Sequence, residues 1–330
     1  MTWKLNGKQG VSISICQYRT GTIPQNQERM KRHLLIGLFL LLSFQCYPQR
    51  RFIEIDGSRV WINTIGIEDR DKGEPVIVFE SGHGTPMGNW DRVLADSTSL
   101  GPIVTYDRPG VGESESVDEM PTIKNVADRL IKILGYLELE PPYVLVGHSL
   151  GGVYVRGFAV YYPEMLAGLV IIDPGDFTET QKNKRQYYEV LGWNGQRIDE
   201  ELEDLIQNDK KRSEALPAAL QRERQVLRDL RESDFKEIRE SPLPNVPVHI
   251  LAGGRFDMPE HMRSSEYDNE ALFRSKTNHR VGRWIDVVQS VDKGMMLYSG
   301  DAGHFVHWDD PELAIASIRI VLKDYAEMSK

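Results

Sequence analysis

Cysteine is almost absent from this chain of 330 residues, since Cys16 and Cys46 are the only two. Downstream of Cys46 the sequence therefore excludes disulfide bonds and metal sites built from cysteine. The chain also lacks a phosphate-binding G-x-x-x-x-G-K motif, a dinucleotide-binding glycine pattern and histidine spacings that favour a metal. We therefore expect no cofactor and no metal, and we expect an apolar core to stabilise the fold.

A long apolar run is missing as well. The uncharged stretch over residues 34–44 is too short for a bilayer, which needs ~20 residues. It follows Met30-Lys31-Arg32-His33, and a basic segment before a short apolar one is typical of a secretory signal. We interpret residues 30–46 as that signal peptide and residues 1–29 as an extension upstream of the true start. A buried helix over residues 34–44 is the alternative.

The signal predicts a protein that is secreted or that resides in the periplasm or cell envelope. Cys46 follows Leu42-Ser43-Phe44-Gln45, a sequence that resembles the cleavage site of a bacterial lipoprotein. Such a site has a small residue directly before the cysteine, and Gln45 is not small. Lipid anchoring at Cys46 is therefore an alternative that the sequence does not favour.

Basic residues are in the minority after the signal. Residues 47–330 hold 34 lysines and arginines against 48 acidic residues, which gives a formal net charge of −14. A surface with this balance repels nucleic acid and anionic membranes. We expect neither as a partner and no integral membrane span in the mature chain, while the oligomeric state stays open.

Short apolar runs alternate with helical patterns from about residue 50, which predicts an α/β fold with a mostly parallel sheet and helices on both faces. Residues 52–55 and 60–65 flank a turn that contains Asp56-Gly57, so they predict an opening β-hairpin. Six further runs bring the predicted sheet to eight strands: 76–79, 103–106, 144–146, 169–172, 248–251 and 295–298.

The alternation stops between Pro174 and Asn245, where the sequence is rich in charged residues, glutamine and leucine at helical spacing. We predict a core formed by residues 50–173 and 246–330, with residues 174–245 as a helical cap inserted after strand 6. A solvated helical decoration without contact to the functional site is the alternative.

One motif carries most of the functional information. Gly147-His148-Ser149-Leu150-Gly151-Gly152 lies between a predicted buried strand and a helical stretch. Small residues two before and two after Ser149 allow a sharp turn that exposes its hydroxyl at a helix N-terminus. The motif predicts a serine nucleophile, and a glycine-rich structural turn is the alternative.

The chain resembles the α/β-hydrolase superfamily from about residue 50 to its C-terminus, because several motifs occur in that superfamily's order. Besides the Ser149 turn, the segment 107–114 resembles the D-R-x-G-x-G-x-S loop that follows strand 4 in the superfamily. The resemblance implies an α/β-hydrolase fold with a serine nucleophile. It gives Asp107 and Arg108 the role of a structural pair.

The resemblance also implies a histidine base and a carboxylate partner in the order Ser, Asp or Glu, His. His304 follows the last predicted strand and is the expected base, with His307 as the alternative that we interpret as structural. Asp257 follows strand 7 and is the expected acid, whereas Asp173 at the end of strand 6 is the fallback.

Two backbone N–H groups are expected to form an oxyanion hole. One belongs to Leu150, directly after the nucleophile, and the other to His83 in the loop after strand 3. Gly82 allows that loop to approach closely. His148 and Trp308 complete the expected site as residues that line the pocket, together with Gly82.

A serine at this turn favours attack on an acyl carbon, whereas dehalogenases and epoxide hydrolases of this fold carry an aspartate there. The sequence therefore predicts a hydrolase of carboxylic esters that forms an acyl-enzyme on Ser149, with a small-molecule ester as substrate. A non-catalytic ligand-binding member, or a perhydrolase or carbon–carbon bond hydrolase of the same fold, is the alternative.

Overall fold

A computed structural model describes residues 49–97 and 99–330. The predictions for residues 1–29, for a signal over residues 30–46 and for lipidation of Cys46 lie outside the described residues. None of the helices in the described part is both long enough and apolar enough to cross a membrane.

The described chain forms one eight-stranded sheet in the order β1-β2-β4-β3-β5-β6-β7-β8. Strand β2 runs antiparallel to both β1 and β4, and the remaining neighbours are parallel. The strands are β1 (Gln49–Ile55), β2 (Ser58–Ile65), β3 (Val76–Glu80), β4 (Ile103–Tyr106), β5 (Tyr143–His148), β6 (Leu166–Ile172), β7 (Val248–Gly253) and β8 (Gly294–Ser299). The predicted α/β-hydrolase sheet is confirmed.

The central strands form because their sequences are apolar on both faces. Every residue of β3, β5 and β6 is buried, as expected for parallel strands covered on both sides. Alternate side chains enter two separate apolar clusters, so that Val76 and Val78 face one layer while Ile77 and Phe79 face the other.

Ten α-helices surround the sheet in the described part of the chain. They are α1 (Asp91–Ser97), α2 (Ile123–Tyr136), α3 (Leu150–Tyr161), α4 (Gln181–Lys184), α5 (Gly195–Glu214), α6 (Ala218–Glu232), α7 (Lys236–Arg239), α8 (Asn269–Val288), α9 (Val306–Asp309) and α10 (Pro311–Met328). Short 3₁₀ helices occupy Met87–Trp90, Pro163–Met165, Arg185–Leu191 and Glu260–Met262. Helices α2, α3 and α8 pack on one face of the sheet, and α1 and α10 pack on the other.

Helices α4 to α7 lie between the end of β6 and the start of β7, and we call residues 174–245 the helical insertion. Its apolar residues Val226, Leu227 and Leu230 on α6 join the main core cluster. Another part of it packs Tyr188 and nearby side chains against Leu272 on α8. The helical insertion is therefore anchored to the rest of the chain by apolar contacts.

Candidate active site

Ser149 lies between the last residue of β5 and the first residue of α3, with φ 55° and ψ −116°. A positive φ is strained for a residue with a side chain, and such strain often occurs at functional sites. Backbone hydrogen bonds hold the turn: the Ser149 N–H donates to Ile172 O at 3.0 Å, and the Ser149 carbonyl accepts from Gly152 and Gly175 at 3.0 Å each. The strained turn is thus tied to the end of β6.

The two glycines that flank Ser149 are required by close backbone contacts. A Cβ on Gly147 would lie 2.4 Å from the carbonyl oxygen of Gly151. A Cβ on Gly151 would lie 2.1 Å from the carbonyl oxygen of Glu80, at the end of β3. No side chain fits at either position, so the glycine spacing in the sequence reflects the packing of β5 and α3 against β3.

His304 forms a short hydrogen bond with a buried carboxylate. Its Nδ1 lies 2.6 Å from Oδ2 of Asp173, whose side chain is only 3% exposed. Because a carboxylate accepts, Nδ1 carries the proton, and in the neutral ring Nε2 is free to take up another. The imidazole itself is about half exposed, which leaves it accessible to a substrate.

The two candidate acids differ in their contacts with His304. Asp257, expected to orient His304, lies in the loop after β7 with a side chain that is 55% exposed and 3.7 Å from Arg255. Arg255 also contacts the Asp301 carbonyl and lies 2.8 Å from Asp309, so it joins the loop after β7 to the loop that carries His304. Asp173, the fallback, is the carboxylate that contacts His304.

Asp173 lies directly after β6, next to the strand that carries Ser149, and its own geometry is held by backbone contacts. Its N–H donates to Leu251 O at 2.7 Å, and its Oδ1 accepts from the N–H of Gly253 at 3.2 Å. Arg280 on α8 places Nη2 3.0 Å from the same Oδ1. One carboxylate oxygen therefore faces a cation and an amide, while the other contacts His304.

No motif in the sequence indicates Arg280. It lies on a helix that also carries Arg274 and Arg283, and the spacing of these arginines does not distinguish the one that reaches Asp173. Arg274 donates to the Gly254 carbonyl, while Arg283 forms an ion pair with Asp176.

His148, beside the nucleophile, connects the turn at Ser149 with the loop of His304. Its Nε2 lies 3.0 Å from the carbonyl oxygen of His304 and therefore donates to it. The two imidazole rings are 4.7 Å apart. Burial holds the pKa of His148 well below its usual value of 6.5, with smaller contributions from His307 and His304. The lowered pKa favours the neutral ring, whose Nε2–H links the Ser149 turn to the His304 loop.

His307 is buried and contacts no carboxylate within the described residues. Asn89 Nδ2 lies 2.7 Å from its Nε2, and the ring packs 4.5 Å from that of Trp90. Burial, followed by the proximity of His304, lowers the pKa of His307 to about 3. These contacts fit the interpretation of His307 as structural.

Trp308 lies near His304 but faces outward, with 41% of the residue exposed. Its indole Nε1 donates to the Asn89 carbonyl at 2.6 Å, and its ring is 5.8 Å from that of Phe305, which is equally exposed. Together the two rings form an apolar surface patch next to the candidate base.

The loop over residues 81–86, which we call the oxyanion loop after its expected role, passes directly beside Ser149. A Cβ on Gly82 would lie 3.3 Å from Cβ of Ser149, so glycine permits the close approach that the sequence predicted. Neither the N–H of His83 nor that of Leu150 donates a hydrogen bond to another described residue. These are the two N–H groups from which an oxyanion hole is expected.

The side chain of His83 turns towards the helical insertion. Its Nε2 lies 3.1 Å from the carbonyl oxygen of Leu220 on α6 and donates to it. The next residue, Gly84, donates its N–H to Oε2 of Glu223 at 2.9 Å. The helical insertion thus contacts the oxyanion loop, which argues against a decoration remote from the site.

Arg108 is buried beneath the oxyanion loop and bridges it to two carboxylates. Its guanidinium lies 2.5 Å from Oε1 of Glu80 and 2.7 Å from Oε1 of Glu223. It also donates to the carbonyl oxygens of Ser81 at 2.5 Å and Gly82 at 2.6 Å. This guanidinium therefore holds the backbone on which one expected oxyanion donor lies.

Asp107 and Arg108 were expected to pair with each other, but each has separate hydrogen-bond partners. Asp107 accepts from the N–H of Met87 at 2.6 Å and from that of Glu113 at 3.0 Å. Arg108 instead turns towards the buried carboxylates beneath the oxyanion loop. Both residues organise loops, as the sequence indicated, through different contacts.

Comparison with known proteins agrees with this architecture. A sequence profile described as the alpha/beta hydrolase family matches residues 77–318. A stretch of 98 residues is 35% identical to the uncharacterized protein YqjL of Bacillus subtilis, covering 30% of this chain and 39% of that protein. A stretch of 140 residues is 27% identical to the (lyso)-N-acylphosphatidylethanolamine lipase of Mus musculus, covering 40% of each.

The matched stretches thus span about two-fifths of the length of these two relatives. Among solved structures, AqDC in complex with its product from ring cleavage of the Pseudomonas quinolone signal superposes with a TM-score of 0.56. The alignment is 16% identical and covers 83% of this chain and 99% of AqDC, so it shows a shared fold. The profile match extends over most of the chain, from β3 to α10, and the chain therefore belongs to the alpha/beta hydrolase family.

Proposed function

We propose that this protein is a serine hydrolase that cleaves carboxylic esters through an acyl-enzyme on Ser149. The observation that carries the proposal is the 2.6 Å contact between His304 Nδ1 and Asp173 Oδ2, in a loop that His148 ties to the strained Ser149 turn. This pairing fixes the tautomer of a base whose Nε2 can accept a proton. The name of the mouse relative, a lipase, also supports ester cleavage.

In the proposed reaction, Ser149 Oγ attacks the ester carbonyl carbon while His304 Nε2 takes the hydroxyl proton. The resulting oxyanion accepts hydrogen bonds from the N–H groups of His83 and Leu150. The tetrahedral intermediate collapses as the bond to the alkoxide breaks and His304 protonates the leaving oxygen. Water then attacks the acyl-enzyme by the same steps, releasing the carboxylic acid and free Ser149.

Asp173 keeps the imidazole oriented and stabilises its protonated form during each transfer. Oγ of Ser149 and Nε2 of His304 are not hydrogen-bonded to each other in the structure. Such bonds are often long without substrate and shorten in the reactive complex. The proposal requires that contact only once an ester is bound.

We further propose that the helical insertion shapes the acyl or alcohol pocket, because it enters directly after β6 and contacts the oxyanion loop. The exposed Phe305 and Trp308 supply an apolar surface next to His304 for part of the substrate. A series of p-nitrophenyl esters from acetate to decanoate tests this. A substitution of Trp308 by alanine should change the preference for chain length.

The experiment that tests the function is turnover of p-nitrophenyl acetate by the purified protein and by Ser149→Ala. A fluorophosphonate probe should label the wild-type protein at Ser149, as located by mass spectrometry, and should not label the variant. A pure ligand-binding member would show neither turnover nor labelling.

A further inference from the structure

We propose that Glu223, on helix α6 of the helical insertion, is a positioning residue for the oxyanion loop, so that the insertion takes part in catalysis besides bounding the pocket. The inference rests on the proposed serine hydrolase function, because it concerns a loop that serves the oxyanion. It goes beyond the pocket-shaping role proposed above for the helical insertion.

The carboxylate of Glu223 is buried and makes two short contacts with the core. Its side chain is 3% exposed, although α6 carries many charged residues. Oε2 accepts from the N–H of Gly84 at 2.9 Å, and Oε1 accepts from Nε of Arg108 at 2.7 Å. Oε2 thus binds the oxyanion loop directly, and Oε1 binds Arg108, which itself contacts that loop.

Arg108 transmits this contact to the peptide group that contains the expected donor. The C=O of Gly82 and the N–H of His83 belong to one peptide unit, and in a planar trans peptide these two bonds point in opposite directions. Arg108 Nη2 donates to the Gly82 oxygen at 2.6 Å from the side of the buried carboxylates. The His83 N–H is therefore directed away from Arg108.

The same helix holds the loop at a second position. Leu220 lies one turn before Glu223, and its carbonyl accepts from Nε2 of His83 at 3.1 Å. A Cβ on Gly84, which has φ 58°, would lie 2.7 Å from Cδ2 of Leu220. Helix α6 therefore packs tightly against the loop, and a shift of the helix would move the loop.

The charges around Arg108 make the arrangement rigid. Burial opposes the charge of its guanidinium, but the carboxylates of Glu223 and Glu80 outweigh that effect and hold its pKa well above the usual value. Arg108 also remains paired with Glu80 when the charge of Glu223 is removed. A neutral substitute at position 223 therefore leaves no isolated buried charge, and such a variant is expected to fold.

The test is Glu223→Gln in the full-length protein. An amide has one accepting oxygen, so one of the two donors, Arg108 Nε–H or Gly84 N–H, would face an NH₂ group. Oxyanion donors act in the transition state, so kcat should fall by at least about tenfold. KM for p-nitrophenyl acetate should change less than about twofold.

Glu237→Gln is the matched control, because Glu237 is another carboxylate of the helical insertion that contacts a core side chain. It accepts from the hydroxyl of Tyr161 and has no contact with the oxyanion loop. Its kcat should equal that of the wild type. Urea unfolding of both variants and of the wild type measures any difference in stability.

Glu223→Asp is a second variant, and it tests the inference even if Glu223→Gln does not fold. Aspartate keeps the charge beside Arg108 but is one methylene too short to reach both donors. We expect its kcat to lie between the kcat values of the wild type and of Glu223→Gln. Inhibition by 1,1,1-trifluorooctan-2-one, whose adduct with the serine carries an oxyanion, should weaken in parallel with kcat.

A rise in KM at unchanged kcat, or unchanged values of both, would overturn the inference and leave Glu223 with a pocket-shaping or structural role. If the wild type turns over esters and Ser149→Ala does not, the proposed function stands. Either of these outcomes then overturns only the inference about Glu223. If the wild type has no ester turnover or serine labelling, the proposed function fails and the inference fails with it.

Discussion

Asp173 and Arg280 form an ion pair, with Arg280 Nη2 3.0 Å from Oδ1, on the carboxylate oxygen that His304 does not use. The carboxylate is thus shared between a permanent cation and the candidate base. The guanidinium and the Gly253 N–H both contact Oδ1, which leaves Oδ2 directed towards His304. The pair therefore bears on the identity of the acid and on its orientation.

Asp173→Asn should reduce kcat/KM by a factor on the order of 10⁴, because the amide cannot hold His304 in the required tautomer. Asp257→Asn is the matched control. The Asp257 carboxylate is exposed and pairs with Arg255 instead of His304, so we expect less than a threefold change, about 0.6 kcal/mol. Kinetics with p-nitrophenyl acetate distinguish the two. A larger loss for Asp257→Asn would return the role of acid to the loop after β7.

Arg280→Gln should reduce kcat/KM for p-nitrophenyl acetate by at least about threefold. Arg280 Nη2 lies 3.0 Å from Oδ1 of Asp173, so without the guanidinium the carboxylate is less firmly oriented towards His304. Steady-state kinetics measure the loss. Arg274→Gln, on the same helix but without contact to Asp173, is the control and should leave kcat/KM unchanged. Equal losses in the two variants would contradict a role of Arg280 in orienting Asp173.

His249 should make the stability of the fold sensitive to acid. It is buried on β7 with Nδ1 2.9 Å from Oγ of Ser317, and burial lowers its pKa to about 4. Because the unfolded chain binds the proton more readily, this histidine makes stability fall as the pH drops from about 6.5 towards 4, by up to about 1.4 kcal/mol per pH unit.

In His249→Asn that contribution is absent, so the plot of unfolding free energy against pH should be shallower than that of the wild type over this interval. Urea denaturation at several pH values gives both curves, and activity at pH 8 checks that the site is intact. Parallel curves would contradict the assignment.

Gly151→Ala should disturb both stability and activity. The added Cβ would meet the Glu80 carbonyl at 2.1 Å and the Ser81 carbonyl at 2.6 Å, which forces α3 away from the oxyanion loop. We expect a loss of about 1–3 kcal/mol of stability. Gly282→Ala is the control, since its Cβ meets nothing within 4 Å on helix α8, and it should gain about 0.5–1 kcal/mol. Equal effects of the two substitutions would contradict the steric argument.

The sheet and the Ser149 turn could be predicted because both are encoded locally. Strands β3, β5 and β6 are continuous apolar runs, and Gly147 and Gly151 stand where two backbones touch. The strands and the turn can therefore each be predicted from a short stretch of sequence.

The acid could not be assigned in the same way. Asp173 and Asp257 both follow a strand and both fit the order Ser, Asp, His, so chain order does not separate them. The structure separates them by their contacts, because Oδ2 of Asp173 lies 2.6 Å from Nδ1 of His304 whereas Asp257 pairs with Arg255. The contact between Asp173 and His304 joins residues 131 positions apart and has no local signature.

Arg280 and Glu223 were missed for a related reason. Each lies on a helix with several charged residues, and only the tertiary packing shows which of them points into the protein. Glu223 reaches Gly84 and Arg108, which lie 139 and 115 positions earlier in the chain, and no local pattern marks contacts over such distances.

The most direct test of the account is the reaction of Ser149 itself, measured as steady-state turnover of p-nitrophenyl acetate together with fluorophosphonate labelling of wild type and Ser149→Ala. Loss of a serine nucleophile typically costs several orders of magnitude in kcat. The account predicts that loss with an unchanged unfolding midpoint, and a labelled peptide that contains Ser149 in the wild type alone. A variant that keeps more than about a tenth of wild-type activity, or a label on another residue, would contradict it.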